Sequence, residues 1–417
     1  MGIKNKLYPF YQKYVLPNLA FLKNKAIVKQ IQKKGKANIL FIVSNLPMWR
    51  CQPLYNLLKC DKRFNPQIAL LPFSNFDDEQ KEKNLQQLHS FFDQQKTPYI
   101  DLSTFESPAQ YVREIIAPDI IFFPQHYEGI FEEEMNFTSF QDKLLCYTPY
   151  ALLTFDQPWL YNLKFNNIGW KLYFPSSVDL DCAKREAFNK GRNVVIVGGT
   201  TDEQYLKKPD PKTWKSAGNR KRIIWAPHFS ISGEGYLHRA SFLLLADAML
   251  SFTEKYKDSV QFSFKPHPRL FIELKNNPEW GKKKAEEYFS EWSTRENTQL
   301  DTGSYTDLFL SSDAMIHDSG SFTAEYHYTG KPVLFFTQDK AQTEGQLNKL
   351  GKAALDAHYI GSTISDIESF ILNVVLAGKD PMASRRKSFY EQYLKPVNGK
   401  CAAQNIYEDL LNSLKFQ

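Results

Sequence analysis

Two prolines flank a histidine in Lys265-Pro-His-Pro-Arg269. Each proline fixes φ and pushes the preceding residue into extended backbone, so this stretch is a stiff loop and not a helix. It holds a lysine, His267 and an arginine close together. Rigid cations and proton donors are what a transferring phosphoryl group requires. A second stretch, Asp318-Ser319-Gly320-Ser321, precedes a helix-compatible run carrying Glu325. Amides at a helix start bind anions, the serines add hydroxyls, and Gly320 lets a phosphate approach the backbone. Glu325, about one turn on, suits a pair of ribose hydroxyls. A third stretch, Ala226-Pro-His228-Phe-Ser230, adds another histidine. Together they suit a nucleoside diphosphate. The competing structural roles are an N-cap for Asp318–Ser321 and helix capping for His267.

These loops need elements that bring them together. Residues 37–44, 67–73, 119–124 and 144–148 are continuous apolar runs separated by helical patterns. A second series has runs at 193–198, 222–227, 260–265, 314–317 and 332–336. Apolar strands alternating with helices imply parallel sheets covered on both faces. The expected architecture is α/β, with two Rossmann-like, doubly wound domains facing a cleft. Expected boundaries are a basic segment over 1–36, an N-terminal acceptor domain over 37–190, a nucleotide-donor domain over 191–375, and C-terminal helices over 376–417. Ligands in such sheets bind beyond the carboxyl ends of strands. The three loops each follow a strand of the second series, so they converge on one rim.

Ala226-Pro227, Lys265-Pro-His-Pro268, Asp318-Ser-Gly-Ser321, Glu325 and Lys331-Pro-Val-Leu334, in that order, resemble the teichoic-acid CDP-glycerol glycerophosphotransferase family. Asp307 and Asp313 suit that family's acidic lead-in. The resemblance covers about residues 193–340. It implies a GT-B fold and transfer of a polyol phosphate, glycerol phosphate foremost, from a CDP-linked donor. The acceptor is a hydroxyl of a membrane-linked cell-surface polysaccharide such as teichoic acid or capsule, and CMP is released. On this pattern His267, Lys265 and Arg269 neutralise the diphosphate. Asp318, Ser319, Gly320 and Ser321 hold phosphate, Glu325 holds ribose, and His228 contacts the nucleotide or polyol. The family's His-Gly-Thr-Pro-Leu-Lys loop is absent, and Cys146-Tyr-Thr-Pro149 stands in its place. His126, in Phe123-Pro-Gln-His-Tyr-Glu-Gly129 after a strand, is the candidate base, with Glu128 to orient it. The rivals are a nucleotide-sugar glycosyltransferase of the same fold and a non-catalytic partner.

Charge narrows the surroundings. The chain has 52 Lys+Arg against 46 Asp+Glu, a net +6. Residues 1–36 hold nine lysines and no acid, which leaves the rest near −3 (+6 minus +9). Aromatic and aliphatic residues alternate with those lysines, and Pro9 and Pro17 are expected to break the segment into short helices. Such a segment suits an anionic membrane surface, with a basic helix packed on the body as the plainer reading. No nucleic-acid motif accompanies it. No apolar run reaches the roughly 18 residues of a membrane span. The expected location is cytoplasmic, peripheral on the inner membrane face. Five dispersed cysteines form no CxxC pair, so neither a disulfide framework nor a zinc site is indicated. Asp179-Leu-Asp181 lies away from the loaded loops, so no metal and no cofactor are expected.

Overall fold

The computed structural model describes residues 8–215, 218–231 and 241–416. The chain forms two compact units. One comprises Met1–Ala151, Gln157–Glu203 and Pro396–Gln417; the other comprises Leu152–Asp156 and Gln204–Lys395.

Among the described residues the first unit holds seven strands: β1 (Ala37–Val43), β2 (Phe64–Leu70), β3 (Ile100–Asp101), β4 (Ile120–Phe123), β5 (Leu144–Tyr147), β6 (Lys171–Phe174) and β7 (Val194–Ile196). Their order is β3-β2-β1-β4-β5-β6-β7, with every pairing parallel. β1 is buried nearly throughout because helices cover both faces, which is why its apolar residues do not alternate. β2 tolerates Pro66 because β3 reaches only Ala69 and Leu70, so no ladder bond is demanded beside the proline.

The second unit holds β8 (Lys221–Ala226), β9 (Val260–Phe264), β10 (Thr298–Leu300), β11 (Ala314–His317), β12 (Val333–Phe336) and β13 (Tyr359–Gly361). Their order is β10-β9-β8-β11-β12-β13, again all parallel. Strand order reverses between β8 and β11, so a crevice opens there at the carboxyl edge. An aromatic stack of Trp225, Phe264 and Trp292 fills the core beneath, with ring centroids 5.0–5.5 Å apart.

Three expectations are corrected. Val194–Ile196 closes the first sheet instead of opening the second, because β7 pairs with β6. The strand β6, with the helix Ser177–Glu186 after it, is not evident from pattern and shifts the boundary. The C-terminal helix Ala402–Leu414 belongs to the first unit, where Ile406, Leu410 and Leu414 enter its core. The basic segment is not broken at its prolines: the chain is helical from Tyr8 to Lys34. The amide of Leu16 donates to the carbonyl of Tyr11, five residues back, and this wider π-turn makes room for the Pro17 ring. The helix ends at Gly35, whose φ of 71° is left-handed. Lys4 and Lys6 lie outside the described residues. Among the described residues no helix is long and apolar enough to cross a membrane.

Candidate functional site

The loops after β8, β9 and β11 meet at the reversal point of the second sheet. The amide of His267 donates to the Pro227 carbonyl at 3.1 Å, and the rings of His228 and His267 lie 5.1 Å apart. Phe229 packs 4.4 Å from His267 and sits 4.3 Å beneath the Arg269 guanidinium. This stacking holds the arginine over an aromatic face while its side chain stays 60% exposed. Glu273, one turn on, accepts from it at 2.8 Å.

The proton on His267 has a definite place. Its Nδ1 accepts the amide of Arg269 at 3.2 Å, so the neutral ring carries its hydrogen on Nε2. Burial, helped by the Arg269 charge, pushes its pKa down to about 4. At neutral pH it is therefore a neutral donor through Nε2. His228 is buried; its amide donates to Asp318, and its Nδ1 lies 2.9 Å from the Ser230 hydroxyl.

Other residues singled out by sequence take supporting positions. Lys265 does not point outward with its neighbours. It is 7% exposed and its Nζ lies 3.2 Å from the Asp301 carboxylate, bracing the loop after β10. Burial lowers its pKa, with Asp301 acting in the opposite direction. Asp318 is fully buried: one oxygen accepts the His228 amide at 2.6 Å, the other the Ser241 amide and hydroxyl at 2.8 and 2.6 Å. It ties the loop after β8 to the start of the helix Phe242–Lys255. Glu325 is 2% exposed and accepts the hydroxyls of Tyr205 and Tyr305 at 3.0–3.1 Å. Lys331 donates to the carbonyls of Phe309 and Leu310, closing the end of the helix Thr306–Ser311.

The loop Asp318–Ser321 is more enclosed than its composition suggests. The helix it opens, Phe322–Glu325, is one turn long and continues as a 3-10 turn over Tyr326–Thr329. Residues 152–156 lie across it. The Thr154 hydroxyl donates to the Gly320 carbonyl at 2.9 Å, and a Cβ on Gly320 would meet the Phe155 ring at 2.1 Å. Gly320 thus makes room for Phe155. Ser319 is buried, whereas Ser321 is exposed.

Sequence reasoning missed a chain of histidines behind this loop. The Ser319 amide donates to His317 Nδ1 at 3.1 Å. His317 Nε2 lies 3.1 Å from His358 Nε2, and His358 Nδ1 lies 2.8 Å from the Ala354 carbonyl. These partners place hydrogens on His317 Nε2 and His358 Nδ1. His327 Nε2 reaches the same carbonyl at 3.1 Å. Burial lowers the pKa of His358 to about 4 and that of His327 well below its ordinary value. The only sequence signal is His317 at a strand end; the other two are brought near by topology.

In the first unit His126 follows β4, as expected, but it is 6% exposed. Its ring stacks on Tyr147 at 4.3 Å, and Nδ1 lies 3.0 Å from Asn166 Oδ1. Asn166 donates through Nδ2 to the Leu160 carbonyl, so its Oδ1 accepts and Nδ1 of His126 carries the hydrogen. Nε2 then keeps its lone pair. Burial pushes the pKa to about 4. Glu128 does not orient this ring; it pairs with Lys164 at 2.8 Å. Asp179 caps its own helix and accepts from Ser176 and Tyr161. Among the described residues no His/Cys/Asp/Glu group is arranged to hold a metal.

The family model described as CDP-glycerol:poly(glycerophosphate) glycerophosphotransferase matches residues 204–412, half of the chain. The chain belongs to that family. It is a transferase enzyme by that membership. No curated protein sequence matches it. A solved variant of the wall teichoic acid polymerase TagF is similar at 12% identity, over 94% of this chain and 93% of that one, with a TM-score of 0.59. A TagF variant soaked with CDPG is similar at 13% identity, over 94% and 93%, with a TM-score of 0.56. UDP-GlcNAc 2-epimerase from Neisseria meningitidis bound to UDP-GlcNAc is similar at 16% identity, over 90% and 99%, with a TM-score of 0.56. At these identities the likeness is one of fold, the GT-B pair of Rossmann-like domains.

Proposed function

We propose that this enzyme transfers a polyol phosphate, glycerol phosphate foremost, from a CDP-linked donor to a hydroxyl of a membrane-linked surface polysaccharide. The observation that carries the reading is the Pro-flanked loop of the second unit. It holds a neutral His267 and a cationic Arg269 beside His228 at the reversal point of a parallel sheet. Family membership supplies the donor class.

In this reading the acceptor oxygen attacks the β-phosphorus of the donor. The new P–O bond forms as the bond to the bridging oxygen breaks, and CMP departs with that oxygen. Negative charge builds on the diphosphate. His267 donates from Nε2 to a phosphate oxygen, and Arg269 supplies a permanent positive charge. His228 and Ser321 line the same edge and contact the polyol or phosphate. Lys265, Asp318 and Glu325 act by position: each is buried and engaged with protein partners. The proposed base is His126, whose Nε2 lone pair can take the acceptor proton. Its low pKa keeps that lone pair available at neutral pH.

The basic helix brings the enzyme to an anionic membrane surface, the inner face of the cytoplasmic membrane, where lipid-linked acceptors reside. Its exposed side chains support this: Phe10 and Leu22 are 57% and 62% exposed, and residues 1–36 contain no acid.

The test is release of CMP from CDP-glycerol or CDP-ribitol by the purified protein with lipid-linked glycan, set beside UDP release from UDP-glucose. CMP release that is lost in His267→Ala supports the reading. UDP release without CMP release would replace it with a glycosyltransferase.

A further inference from the structure

A cavity of about 540 Å³ lies in the first unit, beside the helix Leu16–Lys34. Its other walls come from residues 167–171 and 189–195, near the starts of β6 and β7. That is the opposite end of the sheet from the strand-end loops. The volume falls within the roughly 300–1,000 Å³ of small-molecule sites.

The walls divide by chemistry. Lys25, Lys29 and Arg192 bring positive charge, and among the described residues no aspartate or glutamate lines the cavity. Arg192 donates to the Asn18 side chain at 2.8 Å and to the Pro17 carbonyl, and its guanidinium lies 4.6 Å over the Phe21 ring. Those partners are neutral. Among the described residues neither Arg192 nor Lys25 nor Lys29 forms an ion pair with a carboxylate. Lys171, also in the wall, is engaged by Asp409 at 3.0 Å. Three clustered cations without a counter-charge favour an anion between them. Phe21, Val28 and Trp170 supply an apolar wall. Elsewhere on the same helix Tyr14, Leu19 and Leu22 are 52%, 46% and 62% exposed, so the helix carries apolar surface outside the cavity as well. The floor is rigid: Asn189 and Asn193 are hydrogen-bonded to each other and to the Asn166 carbonyl at 2.8–3.0 Å.

We propose that this cavity binds one anionic phospholipid, its phosphate among Lys25, Lys29 and Arg192 and its acyl chains along Phe21, Val28 and Trp170. A small anion alone leaves the apolar wall uncovered, and a neutral lipid leaves the cations unopposed. The lipid then fixes the helix at the bilayer surface by a stoichiometric contact in addition to diffuse attraction. The proposal rests on the membrane-surface reading of this helix and sharpens it.

The full-length protein is titrated with monomeric dihexanoyl phosphatidylglycerol, dihexanoyl phosphatidylcholine and sn-glycerol 3-phosphate. The signal is the tryptophan fluorescence that disappears in Trp170→Phe. Flotation with phosphatidylglycerol vesicles is measured in parallel. Saturable binding of phosphatidylglycerol alone supports the proposal. Lys25→Glu with Lys29→Glu should weaken it by about tenfold or more. Val28→Trp, which fills the cavity, should abolish monomer binding with an unchanged melting temperature while flotation persists. Equal binding of glycerol 3-phosphate would overturn the proposal in favour of a water-soluble phosphate ligand. Flotation without monomer binding in the wild type would overturn the cavity proposal and leave the surface reading standing. Loss of both signals would overturn both.

Discussion

Two loops at the carboxyl edge of the second sheet look alike in sequence, each a short polar stretch after an apolar strand, yet they are built for different work. In Lys265–Arg269 the prolines hold His267 and Arg269 just ahead of the helix Leu270–Asn276, with Arg269 at its N-cap and its side chain outward, while Lys265 turns inward. In Asp318–Ser321 nearly every polar group is spent on the protein. Asp318 ties three backbone and side-chain donors, Ser319 is held by His317, and Phe155 covers Gly320. The lesson is that polar composition does not tell a ligand-facing loop from a scaffold loop. What decides is whether neighbouring elements supply partners first.

The largest expected effect tests the open loop. Arg269→Ala should lower kcat/KM by roughly a hundredfold or more, because a positioned charge on the developing phosphate is lost. Its melting temperature should hardly move, since the side chain is mostly exposed. His267→Gln should lower kcat similarly. A melting-temperature loss in either variant, with activity per folded molecule intact, would reverse the contrast between the loops.

The closed loop should respond in stability. Asp318→Ala leaves buried donors at His228 and Ser241 without an acceptor, at about 1–3 kcal/mol for each. Denaturant unfolding of the second unit should register that loss. Gly320→Ala forces its new methyl into the Phe155 ring and should cost about 1–3 kcal/mol. The double variant with Phe155→Ala should recover part of the loss, as a double-mutant cycle would show. Additive losses would mean the two residues do not interact.

A further effect concerns pH. His126 and His358 are buried and neutral, with folded pKa values about 4, below the ordinary 6.5. The unfolded chain binds more protons between those values. The stability they contribute is therefore present above about pH 6.5 and is lost as pH falls toward 4. Melting temperature should decline across that window, and His358→Asn should flatten the slope.

Much of the second unit was legible from sequence because its strands are continuous apolar runs and its loops are marked by proline and serine. The convergence of residues 226–230, 265–269 and 318–321 followed from the rule that such loops share one edge. Three things were not legible. The β6–β7 pair is short, and Lys171 at its start is held by Asp409, some 238 residues away. The inward turn of Lys265 depends on Asp301, which has no local signature. His317, His327 and His358 are too scattered in sequence to read as a group; the pairing of β11 with β12 and β12 with β13, and the turn Tyr326–Thr329, assemble them.

The central claim is that the open loop, and not the buried Asp318–Gly320 part of the closed one, grips the donor diphosphate. The most direct measurement is the thermal shift caused by CDP-glycerol, with CMP, UDP and GDP-mannose alongside, in wild type, Arg269→Ala and Ser319→Ala. At about a hundred times its dissociation constant a ligand adds roughly 2.7 kcal/mol. A cytidine-selective shift is expected in wild type, retained in Ser319→Ala and lost in Arg269→Ala. A shift that survives in Arg269→Ala but vanishes in Ser319→Ala would contradict it.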